Sequence, residues 1–154
     1  MPPTDDVDKA RAEATRILTL CKGDGLRAFE MVHSQLAVLV VRSQVLLSLS
    51  GIVITVTGFS GRAIAETSRL AQTSIIAGIA AVLFGGLVIV AGVLRVAWAT
   101  ERIVEDPLET VAGAIRVRDR KSGYLGVGAV LFSAGFALYV LAIAQLLAAA
   151  HTVR

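Results

Sequence analysis

The chain has 154 residues and a formal net charge of +3, with 55% hydrophobic residues and only 18% charged. A soluble domain carries nearer a quarter charged residues, so this composition, with a mean hydropathy of +0.73, argues against a water-soluble domain. The basic residues flank apolar stretches, where membrane orientation and anionic lipid account for them, and nucleic acid is set aside as a partner.

In chain order, residues 1 to 6 read as a terminal tail rich in Pro and Asp, with a helix starting after Thr4 or Asp5. Val7, Ala10, Ala14, Ile17 and Cys21 recur at spacings that mark one helical face, and Lys9, Arg11, Glu13 and Arg16 lie opposite. Such a thin apolar stripe packs on a neighbouring helix more readily than it holds itself to a membrane. Cys21 is the single cysteine, so an intramolecular disulfide is impossible, and it reads as a small apolar residue. Lys22-Gly23-Asp24-Gly25 then forms a turn.

A second helix runs from Leu26 to Phe59 and carries the first predicted span, residues 36 to 59. The second span is 75 to 98, ending on Arg95 and Trp98, and the third is 124 to 149. Each reaches the length of about 20 residues that crosses a bilayer core. Lipid tolerates no unpaired backbone, so these are helices. A cleaved signal peptide is not expected, because the first apolar run begins well inside the chain behind mixed charges.

Between spans two and three, Asp106-Pro107-Leu108-Glu109 has the pattern of a helix start, with Asp as cap and Pro at the first helical position. Leu108, Val111, Ala112 and Ile115 share a face, followed by Arg116, Arg118, Arg120 and Lys121. The expectation is an amphipathic surface helix over residues 107 to 121, stopped by Ser122-Gly123. Its partner is either anionic headgroups or the N-terminal helix. The fold class is therefore an all-α integral membrane protein with three transmembrane helices, an N-terminal amphipathic helix (residues 1 to 25 with its turn) and a cytosolic surface helix. Basic residues cluster in the N-terminal segment and the second connection, which predicts a cytoplasmic N-terminus and an external C-terminus, with 150 to 154 as an external tail.

Small or polar residues recur every seventh position in each span: Ala37, Gln44, Gly51 and Gly58; Gly78, Gly85 and Gly92; Gly128, Gly135, Ala142 and Ala149. That period keeps each set on one side of a helix pair, and small residues permit close approach in lipid. These seams pack either the monomer or a homo-oligomer. Arg42 and Gln44 are polar residues inside the first span. Arg42 either snorkels to headgroups or meets a carboxylate at the end of the second span, Glu101 or Glu105.

No cofactor or metal site is expected. The spans hold no acidic residue, His33 and His151 fall at opposite ends of the topology, and GFSGR is one residue short of a nucleophile elbow. The chain reads as a non-enzyme.

The run from Arg42-Ser43-Gln44 to Gly51-Ile52-Val53-Ile54, and Arg120-Lys121 shortly before Tyr124, give residues 26 to 149 a particular order of elements. In this the chain resembles the membrane modules of bacterial anti-phage effectors, the Pycsar transmembrane and SLATT families. Members usually carry a nucleotide-sensing domain, and residues 1 to 35 are too few to form one. The resemblance thus implies a membrane-perturbing or pore-forming effector that works with a separate sensor. The residues themselves favour a small bacterial inner-membrane protein, an oligomeric scaffold or accessory subunit of a larger complex, in contact with anionic lipid.

Overall fold

The computed structural model describes residues 4–59, 69–94 and 105–152. Four helices account for nearly all of them: α1 (Thr4–Leu20), α2 (Gly25–Phe59), α3 (Arg69–Gly92) and α4 (Pro107–Thr152). Three of these, α2, α3 and α4, are long and apolar enough to cross a membrane. No strand occurs among the described residues. Among these residues the chain is all-α, with three candidate membrane-spanning helices.

The turn between α1 and α2 closes through a paired C-cap. The Gly23 N–H donates to the Leu18 carbonyl (2.9 Å) and the Lys22 N–H to the Thr19 carbonyl (3.1 Å). This Schellman arrangement needs one left-handed residue, and here it is Lys22 at φ 56° rather than a glycine. Asp24 then caps α2, its Oδ1 accepting from the Arg27 N–H at 3.1 Å. Asp106 does the same for α4, accepting from the Leu108 N–H at 2.9 Å, as the sequence pattern predicts.

One expectation is overturned. Residues 107 to 121 do not form a separate surface helix stopped at Ser122-Gly123. They are the first turns of α4, which runs unbroken for 46 residues, about 69 Å at 1.5 Å per residue. A helix-interior glycine costs only about 1 kcal/mol relative to alanine. Neither Pro nor a left-handed glycine follows to end the helix there. Packing on both sides of the Ser-Gly pair offsets the cost, with Ile115 buried before it and Leu125 after it.

Two three-helix bundles therefore share α2 and α4. In the headpiece, α1 packs on their first turns. Ala10, Ala14, Ile17 and Cys21 meet Ala28 and Val32 of α2 and Val111, Ala112 and Ile115 of α4 in one buried cluster. The apolar faces of α1 and of residues 107 to 115 thus cover each other. Pro107 comes so close to Gly25 that a Cβ there would lie 2.9 Å from its own Cβ. In the membrane bundle, α3 takes the third place.

The seams of α3 and α4 are used within the monomer. Gly78 faces Gly135 and Gly85 faces Gly128. A Cβ on Gly78 would lie 2.8 Å from the Gly135 carbonyl oxygen, and one on Gly85 2.9 Å from that of Gly128. Gly92 lies against the ring of Tyr124. Ala142, a further member of the α4 seam, is buried as well, and so is Ala71, seven residues before Gly78.

The seam of α2 differs from expectation by one residue. Ser43, Ser50 and Thr57 face inward, whereas Gly51 is exposed with nothing within 4 Å of its would-be Cβ. What Gly58 faces lies outside the described residues. The inward hydroxyls are satisfied on their own helix: Ser43 donates to the Leu39 carbonyl (2.7 Å), Ser50 to Leu46 (2.9 Å) and Thr57 to Val53 (2.7 Å). Back-bonded in this way, Ser and Thr behave as small residues in lipid.

A matched pair of variants checks this assignment. Gly135→Ala forces a methyl against the Gly78 backbone and is expected to cost about 1–3 kcal/mol as overpacking. Gly51→Ala is expected to stay within about 0.5 kcal/mol, as for open sites. Thermal unfolding of the two proteins in one detergent makes the comparison; equal melting temperatures would remove the α3–α4 seam from the account.

Candidate functional site

The polar residues gather at one level, where headpiece gives way to membrane bundle. Arg118 of α4 is at the centre, its side chain 19% exposed. Its Nη1 donates to Oε1 of Glu13 (2.7 Å) and Nη2 to Oε2 (2.9 Å), a forked pair with α1. Nη1 also donates to Oε1 of Gln35 on α2 at 2.9 Å, and Nε to Oδ1 of Asp119 at 2.8 Å. One guanidinium thus ties three helices, a task that suits its planar set of donors and not an ammonium. The hydrogen bond from Arg118 holds the Glu13 carboxyl below its ordinary range.

Glu109 forms a second link. Arg11 of α1 reaches it at 2.6 Å, and Arg116 lies 3.9 Å away. The expected lipid-facing cluster is therefore divided. Arg118 is a structural tie within the headpiece, and Arg116 stands beside Glu109. Arg120 is exposed, and Lys121 is half-buried.

Two hollows flank the α2–α4 pair at this level. A polar cleft of about 260 Å³ is lined by Gln35, Val38, Leu39, Arg42, Arg118, Asp119 and Ser122. On the other side lies a larger, mostly apolar groove of about 490 Å³. It runs from Phe29 and His33 past Ala37 to Val41 and Gln44, with Thr110, Ala114, Val117 and Lys121 from α4. Arg42 opens on the cleft and Gln44 on the groove, so these two predicted residues serve different surfaces. The proposed pairing of Arg42 with Glu101 lies outside the described residues, as do Arg95 and Trp98. Glu105 is described and exposed.

Among the described residues no group of three or more His, Cys, Asp or Glu is placed to hold a metal ion. Cys21 sits in the apolar headpiece core. The sequence reading missed Glu13, Gln35, Glu109, Asp119 and Ser122 as site residues. Glu13 lies 105 positions from Arg118, and no local pattern carries such a pairing. The only signal was the acid on the polar face of α1. No family model matches the chain, and no curated protein or solved structure matches it.

The ion pair has a pH signature. A carboxyl whose folded pKa is depressed adds stability above its unfolded value, and that stability is lost as pH falls through the folded value. Headpiece stability is therefore expected to drop below about pH 4.5, the ordinary value for Glu13. Glu13→Gln should flatten that part of the pH profile and lower stability at neutral pH by about 1 kcal/mol or less, because the pair is partly open to water. Melting followed by circular dichroism between pH 3 and pH 7 measures both.

Proposed function

We propose that this is a non-enzymatic bacterial inner-membrane protein that works as an oligomeric scaffold or accessory subunit, assembling through α2. The observation that carries this is Gln44. Its amide is exposed on the first span, eight residues past Leu36, about 12 Å along the helix. A primary amide facing hydrocarbon is costly, and in membrane proteins such groups hydrogen-bond across helix interfaces. Ala37 and Gly51, one heptad to either side, are exposed on the same face. The apolar groove continues that face into the headpiece. A second copy of α2, or one helix of a larger complex, would bring its backbone close along Ala37 and Gly51 and meet the Gln44 amide. Ala, Val, Gly and Arg richness supports a bacterial source. The concentration of Lys and Arg in the headpiece, set against few at the other ends of the spans, supports a cytoplasmic N-terminus and an external C-terminus.

The pore-forming effector implied by the resemblance is the competing reading. The membrane bundle gives it little support, since the space between its helices is filled by Ile75, Val82, Ile89 and Tyr139. Overexpression separates the two: a pore brings growth arrest and dye entry, and a scaffold brings neither.

Light scattering in mild detergent tests assembly. Wild type is expected above the monomer mass, and Gln44→Leu combined with Gly51→Leu is expected to return it to the monomer while leaving the monomer's fold intact. A strictly monomeric wild type would end the oligomer reading.

Orientation has its own test. Cys21 is buried, so it is replaced by Ala and a reporter placed at exposed Asp5 as Asp5→Cys. A membrane-impermeant maleimide is expected to label this cysteine only after permeabilisation. Labelling in intact cells would invert the topology.

A further inference from the structure

We infer that the polar cleft between α2 and α4 is a binding site for the phosphate of a single phospholipid, with Arg42 as its principal ligand. The inference rests on the membrane assignment alone and stands apart from the scaffold reading.

The first argument is the level of the cleft. α2 and α4 run side by side in the same direction, with Gly25 against Pro107 and Gln35 bonded to Arg118. That register sets Arg42 beside the start of the apolar run of α4 at Tyr124. Gln35, Arg118 and Ser122 stand just above it. Phosphate groups of a bilayer lie at this boundary, whichever leaflet the headpiece occupies.

The second argument is the balance of donors and acceptors. Arg118 is engaged by Glu13, Gln35 and Asp119. Among the described residues that line the cleft, Asp119 is the only carboxylate, and it is turned onto Arg118 at 2.7 Å. Gln35 accepts from Arg118 through its carbonyl oxygen, which leaves its NH₂ as a donor. Arg42 has no ion-pair or hydrogen-bond partner among the described residues and is exposed. The Ser122 hydroxyl is exposed beside it. The open valences are therefore the guanidinium of Arg42, the Gln35 amide NH₂ and the Ser122 hydroxyl. A ligand that only accepts hydrogen bonds and carries negative charge completes such a set, and a phosphodiester does both. The acyl chains would follow Val38 and the outer side of α2, where Val45 and Ile52 are exposed.

The test uses the full chain in detergent, with palmitoyl-oleoyl phosphatidylglycerol added and retained lipid counted by native mass spectrometry. Wild type is expected to keep one phosphatidylglycerol. Arg42→Gln should weaken retention about tenfold or more, the order expected for losing a hydrogen bond to a charged group. Ser122→Ala should weaken it a few-fold, and Arg120→Gln, which removes a cation outside the cleft, should leave it unchanged. Arg42→Lys should restore much of the binding, since lysine also holds phosphate as a point charge. Circular dichroism melts verify that each variant is folded. Millimolar inorganic phosphate should not displace the lipid; if it does so, the site belongs to free phosphate and the lipid assignment is overturned. Equal retention by wild type, Arg42→Gln and Ser122→Ala would overturn the site altogether.

Discussion

At Gly78 and Gly135, and again one heptad along at Gly85 and Gly128, two backbones touch without side chains between them. The rest of the membrane bundle depends on this contact. Lipid tails are as apolar as the helices they surround, so burying leucine against leucine gains little there. What remains is dispersion between closely fitted surfaces, and glycine lets the fit reach the backbone itself. Once α3 and α4 are joined in this way, their outer surfaces fix where α2 can lie. It packs through Leu46 and Leu47 and through its line of hydroxyl residues.

α2 and α4 continue past α3 into the headpiece, and the packing changes along their length. In the headpiece, burial of apolar side chains holds α1 to the first turns of α2 and α4. The core there is built of alanine, valine and isoleucine together with Cys21, and the ion pairs sit on its rim. Arg118 marks the changeover. Above it α1 is the third helix of the bundle; below it α3 is. A continuous α4 of 46 residues runs through both bundles, and the Ser122-Gly123 pair does not interrupt it.

Much of this was legible in the sequence, and the failures share a cause. The three spans, the Asp106 cap and the apolar face of α1 follow from local pattern, whereas helix number does not, because residues 107 to 121 and the third span are one helix. The glycine seams of α3 and α4 were legible too, because glycine repeated every seven residues along a span serves chiefly to let a second backbone approach. On α2 the same rule selected Gln44 and Gly51, while Ser43 and Ser50 pack. Serine reads as polar in sequence, but a hydroxyl bonded to the carbonyl four residues back presents little more than a methylene to its neighbour. Ser122-Gly123 misled for a related reason. Its meaning depends on what supports the helix on both sides, and that support comes from residues far away in the chain. Arg118 looked like one of four equivalent cations for the same reason, since Glu13 and Gln35 reach it only after folding.

The consecutive residues Arg42, Ser43 and Gln44 show what such a boundary asks of a helix. Successive side chains are turned by about 100°, so three polar residues at one level look in three directions. Arg42 faces the polar cleft, Ser43 is fully buried in the bundle and Gln44 opens on the apolar groove. Each meets a different surface at the same depth: the polar cleft, the protein interior and the apolar groove. A run that reads as an interruption of the first span is therefore no interruption of the helix. It is one turn on which α2 changes neighbours on every side, and polar residues are tolerated there because none of the three has to face hydrocarbon alone if the cleft holds a phosphate and the groove a partner.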